Sequence, residues 1–328
     1  MSTTPTPSEA GDTRRFKVPA TLQGARLDRA LCVLIPDATR GYAKELIVGG
    51  HVRVDGEVVT KPGALVAVRG SLEVSLAPRR AGRIDRADLA LLRVLHEDDD
   101  VIVIDKPQGV LAHPTASVSG ATISELAVLR YGPLPTLQGD DRPGIVHRLD
   151  AGTSGVMVLA RNEHAFSELM RQFRAREVTK TYLALVYGEP RFDTGWVEAP
   201  IARGKDDSSR MAIAPSGEGR AAATYYEVRE RFRGLSLIAA QPRTGRTHQI
   251  RVHLTSVGMP LVGDKLYRRR GGPSLVLPAD APIPPRQCLH AWRLRFKHPT
   301  GGEPVEFEAP PPEDFERMLA WVRANRAR

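Results

Sequence analysis

The sequence predicts an α+β protein built from two units. Three observations carry that expectation. The chain has 328 residues, more than one ordinary domain of roughly 150 residues holds. Short β-type runs alternate with helical periods of apolar residues, and no internal repeat links them. A charged stretch without apolar periodicity, 78–90, separates a small leading part from a large remainder. Hydrophobic residues make up 41% and charged residues 26%, so a chain of this length can bury a core without disulfides or a structural metal.

The elements follow in order. Residues 1–13 are polar and Pro-rich and read as a disordered lead. Residues 14–77 read as a small module. A short helix starts near Arg26, with Leu27, Ala30, Leu31 and Leu34 on one face, and stops near Pro36. Thr39 can cap a second helix that turns Ala43, Leu46 and Ile47 inward and ends at Gly49-Gly50. Val52–Val54, Asp55-Gly56 and Glu57–Val59 read as strand, tight turn and strand. Leu65–Val68 and Leu72–Leu76 continue as strands.

After the linker at 78–90, residues 91–312 form the large unit. Leu91–Leu95 and Val101–Ile104 flank an acidic turn, and Val156–Leu159 is a strand. Glu163–Arg176 is a helix with Phe166, Leu169, Met170 and Phe173 on its apolar side. Thr181–Tyr187, Ala222–Val228 and Leu235–Ala240 are strands. Thr247–Val257 is a helix that turns Ile250, Leu254 and Val257 inward and closes at Gly258. Residues 271–285 are a Pro/Gly-rich loop, and 313–328 are set apart as a basic C-terminal helix.

Composition also excludes function classes. No run of about 18 apolar residues exists, so no membrane partner is expected. The start is not a secretory signal. Only Cys32 and Cys288 are present, without a C-x-x-C pair, which fits a reduced cytoplasmic chain. The net charge is +9. Between Gln241 and Arg270, seven Lys and Arg face the single acid Asp264. A concentrated excess of this kind favours a polyanion, most often nucleic acid, over a merely solvated basic face.

Two stretches carry chemistry. Arg142-Pro143-Gly144-Ile145-Val146-His147-Arg148-Leu149-Asp150-Ala151-Gly152-Thr153-Ser154-Gly155 sets an Asp between a short strand and a Gly-flanked turn. Such a turn lets backbone approach a ligand, although an Asp there also commonly caps its own turn. The pattern is neither G-x-S-x-G nor a phosphate loop. In Pro242 to Leu254, a helix from Thr247 sets Arg251 beside His248 and clear of the Ile250 face. An Arg on a rigid helix suits a catalytic carboxylate. His248 and His253 are five apart, a poor metal pair, so no metal is expected. Lys106-Pro107 and His113-Pro114 bound a constrained loop, and Tyr182 starts a strand as either a core residue or a base-stacking one.

Taken together these residues closely resemble the RluA-type pseudouridine synthases. The resemblance rests on His147-Arg148-Leu149-Asp150, Thr153-Ser154-Gly155, Lys180 with Tyr182, and Thr244 to Arg251. Lys106-Pro107, Gly263-Asp264 with Tyr267, and Arg286 to Ala291 support it. It spans about residues 91 to 310 in order. Residues 26–74 resemble the alpha-L RNA-binding fold of ribosomal protein S-four, with Gly41 where that family often has Ser. The whole looks most like the RluD branch, which modifies large-subunit ribosomal RNA.

The resemblance implies a mixed, mainly antiparallel β-sheet catalytic domain behind an α+β RNA-binding module. It implies a cofactor-independent isomerase acting on ribosomal RNA, here expected to be monomeric. Asp150 would be the essential carboxylate, Arg251 its partner, and Tyr182 the residue stacked on the uracil. Arg148, Arg40, Lys44, Arg53, Lys106, Arg246 and His248 are the expected RNA contacts. The competing readings are a non-catalytic ribosome-assembly factor on the same fold and a glycosylase that releases free base.

Overall fold

A computed structural model describes residues 12–35, 40–66, 71–76, 86–114, 120–137, 139, 142–204, 210–215, 218–268 and 277–328. The front unit comprises β1 (Asp12–Lys17), α1 (Leu27–Leu34), α2 (Arg40–Val48), β2 (Val52–Val54), β3 (Glu57–Val58) and β4 (Ser71–Leu76). Its strands form one antiparallel sheet in the order β1-β4-β2-β3. The apolar positions of both helices do what their spacing predicts: Leu27, Ala30, Leu31, Ala43, Leu46 and Ile47 are buried with Val52, Leu72 and Val74. Asp55 and Gly56 both take positive φ, 52° and 87°, the backbone a two-residue hairpin of matching twist requires. β1 begins two residues inside the stretch expected as a lead, because Asp12 and Thr13 pair with Leu76 and Ser75. Thr39, the expected cap, and the second half of the expected Leu65–Val68 strand lie outside the described residues.

The large unit opens with a 3-10 turn at Arg86–Leu91, inside the expected linker. Then come β5 (Arg93–Glu97), β6 (Val101–Lys106), α3 (Ile123–Tyr131), β7 (Ser154–Ala160) and α4 (Glu163–Ala175). β8 (Thr179–Tyr187), β9 (Thr194–Glu198), β10 (Ile201–Arg203), β11 (Met211–Ile213), β12 (Ala223–Phe232) and β13 (Leu235–Pro242) follow. The chain ends with α5 (Gln249–Ser256), β14 (Leu289–Lys297), β15 (Pro304–Glu308) and α6 (Glu313–Arg326). A nine-stranded sheet runs β5-β6-β7-β14-β8-β13-β12-β9, with β15 on β14. Its pairs are antiparallel except β7 with β14. That parallel contact depends on Gly155 at φ 114°, where a Cβ would overlap the backbone of Ala291 opposite. It seats β14 beside the strand that leaves the Asp150 turn.

Two expectations need correction. α5 begins at Gln249, because His248 sits in the left-handed region at φ 55° and cannot be helical. It ends at Ser256, so Val257 has left the helical period and is 47% exposed where burial was expected. The C-terminal helix is not set apart. Phe315, Met318, Leu319 and Val322 of α6 are buried against Leu183, Leu185, Phe232 and Leu235 of the sheet. Its basic residues lie on the outer face, where Arg323 pairs with Glu230 of β12.

Candidate active site

The Asp150 turn is held from several sides. Ahead of it, Ile145, Val146 and Leu149 are buried in the core. His147 stacks on Phe173 at 4.7 Å and accepts the Val158 N–H through Nε2 at 3.0 Å. Burial, with the Lys180 charge nearby, pulls its pKa down to about 3, so it is a neutral acceptor fixing the strand approach. The Asp150 carbonyl accepts from Thr153 N–H at 2.9 Å, which closes the turn. The Ala151 carbonyl takes the Gly109 N–H at 2.7 Å. Arg286 donates to the Gly152 carbonyl at 3.0 Å while its fork holds Asp314. Gln287 donates to Thr153 Oγ1 at 3.2 Å. Backbone anchored this way fixes where the carboxylate stands before any ligand arrives.

Lys106 belongs to the same scaffold, and this corrects its expected place among the RNA contacts. It is fully buried. Its Nζ donates to the carbonyls of Pro107 and Val110 at 2.9 and 2.8 Å, and to that of Ala151 at 3.4 Å. A phosphate cannot reach it. Burial pulls its pKa down to about 7, and the Asp150 charge works in the other direction.

Around Asp150 stands a cluster from α5 and the loop behind it. Arg251 Nη1 lies 3.4 Å from Asp150 Oδ2. The Arg251 fork faces Asp264, with Nε to Oδ2 at 2.8 Å and Nη2 to Oδ1 at 3.0 Å. The Asp264 side chain is fully buried and also accepts the N–H groups of Leu266 and Tyr267. Burial works against the Arg251 charge, and the bond to Asp264 together with the charges of Asp264 and Asp150 outweighs it, so its pKa is raised. Tyr267 packs beneath the guanidinium, 4.9 Å from ring centre to Cζ. Its hydroxyl accepts the Met211 N–H at 2.8 Å and meets His248 Nδ1 at 2.8 Å. Burial lowers the His248 pKa, against the pull of Asp150. The other ring nitrogen of His248, Nε2, stands 3.9 Å from Asp150 Oδ2.

These groups open on a cleft of about 430 Å³, the size of a small-molecule or nucleotide site. Among the described residues Asp150 is the only acid in its lining, against Arg148, Arg174, Arg176, Lys180, Arg243, Arg246 and Arg251. Tyr182 forms part of the wall, half-buried. Burial and the Asp150 charge both raise its pKa, so its hydroxyl keeps its proton. Lys180, on the same face of β8, is pulled down to about 8 by burial. The structure thus brings together Asp150, Tyr182, Arg251, Arg148, Arg246 and His248. Lys44 and Arg53 are exposed on the front unit, and the Arg40 side chain lies outside the described residues. His253 is bound to Thr224 Oγ1 and the Ala199 carbonyl, a structural role. Among the described residues no group of three His, Cys, Asp or Glu could hold a metal ion. No described helix is long and apolar enough to cross a membrane.

A basic cleft around one anchored carboxylate, on a mainly antiparallel sheet, defines a class of enzyme for nucleic acid. The RNA pseudouridylate synthase family matches residues 100–256, and the S4 domain family matches residues 25–69. The chain belongs to the RNA pseudouridine synthase family and is an isomerase. It is 39% identical to ribosomal large subunit pseudouridine synthase D of Xanthomonas campestris, over 96% of this chain and 94% of that one. The protein of the same description from Vibrio parahaemolyticus is 39% identical over 92% of each chain. Among solved structures, human RNA pseudouridylate synthase domain containing 4 superposes with a TM-score of 0.55 at 28% identity, covering 70% of this chain and 93% of that one.

Proposed function

We propose that this chain converts specific uridines to pseudouridine in large-subunit ribosomal RNA, or its assembly precursor, with Asp150 as the essential carboxylate. The observation that carries the reading is the Asp150 carboxylate, fixed by its turn and, among the described residues, the one acid set against the cations of a cleft of nucleotide size. The names of the two bacterial relatives support the substrate.

The reaction is an isomerisation. The N1–C1′ bond of a uridine breaks, the uracil turns, C5 bonds to C1′, the C5 proton leaves and N1 gains one. Nothing is oxidised, so the balance needs no cofactor. The uridine must leave its stack to enter the cleft. Asp150 then faces the sugar, where a carboxylate answers the positive charge that develops at C1′, either by bonding to it or by taking a sugar proton. Arg251 orients Asp150. Tyr182 offers its face to the uracil and its hydroxyl to the late proton transfer. Arg148, exposed at the cleft mouth, fills the gap the uridine leaves in its stack. Arg246 and the front unit's Lys44 and Arg53 meet phosphates. The chain works in the cytoplasm as a monomer.

The test is incubation with unmodified large-subunit ribosomal RNA, followed by nucleoside analysis and mapping of the changed positions. Pseudouridine at discrete sites is expected. Release of free uracil would make the chain a glycosylase, and binding without conversion would make it an assembly factor.

A further inference from the structure

Beside the catalytic cleft lies a second cavity of about 350 Å³. The two share Arg176, Lys180, Pro242 and Arg243 in their linings, so they are neighbours along one wall. Among the described residues no acidic side chain lines the second cavity. Its far side is aromatic. Trp196 on the edge strand β9 pairs with Tyr225 on β12, and Tyr225 in turn pairs with Gln241 on β13. Strand partners directly opposite each other project to the same face of a sheet, and the two rings lie 5.3 Å apart. Arg243 Cζ stands 4.9 Å from the centre of the Trp196 ring.

Trp196 is 47% exposed. A Trp left that open on a strand edge forgoes about half of the gain from burying its large ring. Its indole N–H makes no hydrogen bond among the described residues, unlike that of Trp292, which bonds Glu308. Arg243, whose guanidinium meets the Trp196 ring, likewise has no acidic partner among the described residues. A half-exposed indole beside a guanidinium that pairs with no acid among the described residues is the equipment that holds an unpaired base, through stacking and cation–π attraction, beside a cation for its phosphate.

We propose that Trp196, backed by Tyr225 and clamped by Arg243, is a stacking subsite for an unpaired nucleobase that flanks the target uridine. The shared wall explains why it would act on the same strand. Arg176, Lys180 and Arg243 face both cavities, so a backbone leaving one passes directly into the other. Stacking reads no hydrogen-bond pattern, so the subsite accepts any base and demands only that it be unpaired. It thereby selects loops and single strands over duplex. The subsite presupposes an RNA substrate, as inferred above.

The test uses the full chain and two probes of equal phosphate count, an oligouridylate of about twelve nucleotides and the matching chain without bases. Oligouridylate should quench the tryptophan emission of the wild-type protein, and the baseless chain should not. Trp196→Phe should lose most of that quenching while binding oligouridylate within about threefold of wild type, since Phe still stacks. Trp196→Ala should bind oligouridylate about tenfold more weakly and bind the baseless chain as wild type does. Full quenching in Trp196→Phe, or unchanged affinity in Trp196→Ala, would overturn the subsite. So would an equal loss for both probes in a Trp196→Ala protein of lowered melting temperature, which would make the stack a staple of the sheet edge. Pseudouridine formation by the wild type is measured separately on ribosomal RNA. Its absence would count against the proposed reaction and leave the fluorescence result standing.

Discussion

Arg251 gives its two-bond fork to Asp264, at 2.8 and 3.0 Å, and reaches Asp150 through one Nη1 contact of 3.4 Å. The guanidinium that touches the Asp150 carboxylate is thus itself oriented by a second, fully buried one. Removing that second charge leaves a buried guanidinium with only Asp150 to answer it. Asp264→Asn should therefore cost about 3 to 5 kcal/mol in urea unfolding, the usual penalty for breaking a buried pair. Turnover should fall at least about tenfold, equivalent to ~1.4 kcal/mol of barrier, with a smaller loss in RNA affinity. Arg251→Lys should follow the same pattern, because an ammonium cannot span Asp264 and touch Asp150 at once. Equal losses in turnover and affinity would instead mark Arg251 as a phosphate contact.

Asp150→Asn keeps the shape of the side chain and the turn around it, and removes the charge that the proposed reaction needs at the sugar. Pseudouridine formation should drop beyond detection while filter binding of ribosomal RNA persists. A rate within about tenfold of wild type, only ~1.4 kcal/mol of barrier, would take Asp150 out of the chemistry.

Tyr182→Phe separates stacking from proton transfer. The ring remains in the wall of the cleft and the hydroxyl goes. The variant should bind RNA normally and stall on it, seen as a protein–RNA species that persists on a gel while product fails to appear. Normal turnover would reduce Tyr182 to a wall residue.

Much of this site was legible in the sequence because its members sit in short contiguous motifs. Asp150 and Arg251 stand out beside Gly-rich turns, and the helical period sets Arg251 off from the Ile250 face. What escaped was whatever needs the fold to meet. Asp264 lies thirteen positions from Arg251 in another loop. Its proximity to Tyr267 in the sequence was the available signal, since an Asp followed by exposed N–H groups readily caps its own turn. A Lys after a strand is ordinarily exposed, whereas Lys106 closes three carbonyls beneath the Asp150 turn, which only the fold brings together. Trp196 carried no signal, because β9 is too short to show an alternating pattern. The helix at the C-terminus was set apart on the charge of its outer face, although Phe315, Met318, Leu319 and Val322 recur at the spacing of a buried stripe.

Lys106 gives a pH signature. Its pKa is about 7 in the fold and 10.5 as a free side chain. Between those values the unfolded chain holds a proton that the folded one has released, so the Lys106 contribution to stability rises with pH across that window. Lys106→Met removes the titration and leaves three carbonyls without their donor. The variant should be less stable throughout. The gap to wild type should widen by roughly 2 to 3 kcal/mol between pH 6 and pH 9, at about 1.4 kcal/mol per unit above the folded pKa. Chemical unfolding of both proteins across that range measures it. A constant gap would mean that the buried amine does not titrate there.

The front unit is proposed to hold RNA by phosphate contacts alone. Lys44 on α2 and Arg53 on β2 are exposed, and Arg53 donates to the Gly56 carbonyl at 3.0 Å, which holds its side chain along the hairpin. Neither touches the Asp150 cleft. Each phosphate neutralised by such a side chain releases counterions, so the slope of log affinity against log salt falls by about 1 for each contact removed. The double variant Lys44→Gln, Arg53→Gln should therefore bind long ribosomal RNA more weakly at low salt and show a slope shallower by about 2. Its turnover at saturating RNA should match wild type, because the catalytic groups are untouched. The melting temperature should hold as well, since exposed polar replacements away from the core rarely shift stability by more than about 0.5 kcal/mol. An unchanged slope would remove the two residues from the RNA interface. A loss of turnover at saturation with the slope unchanged would give the front unit a part in shaping the catalytic cleft instead.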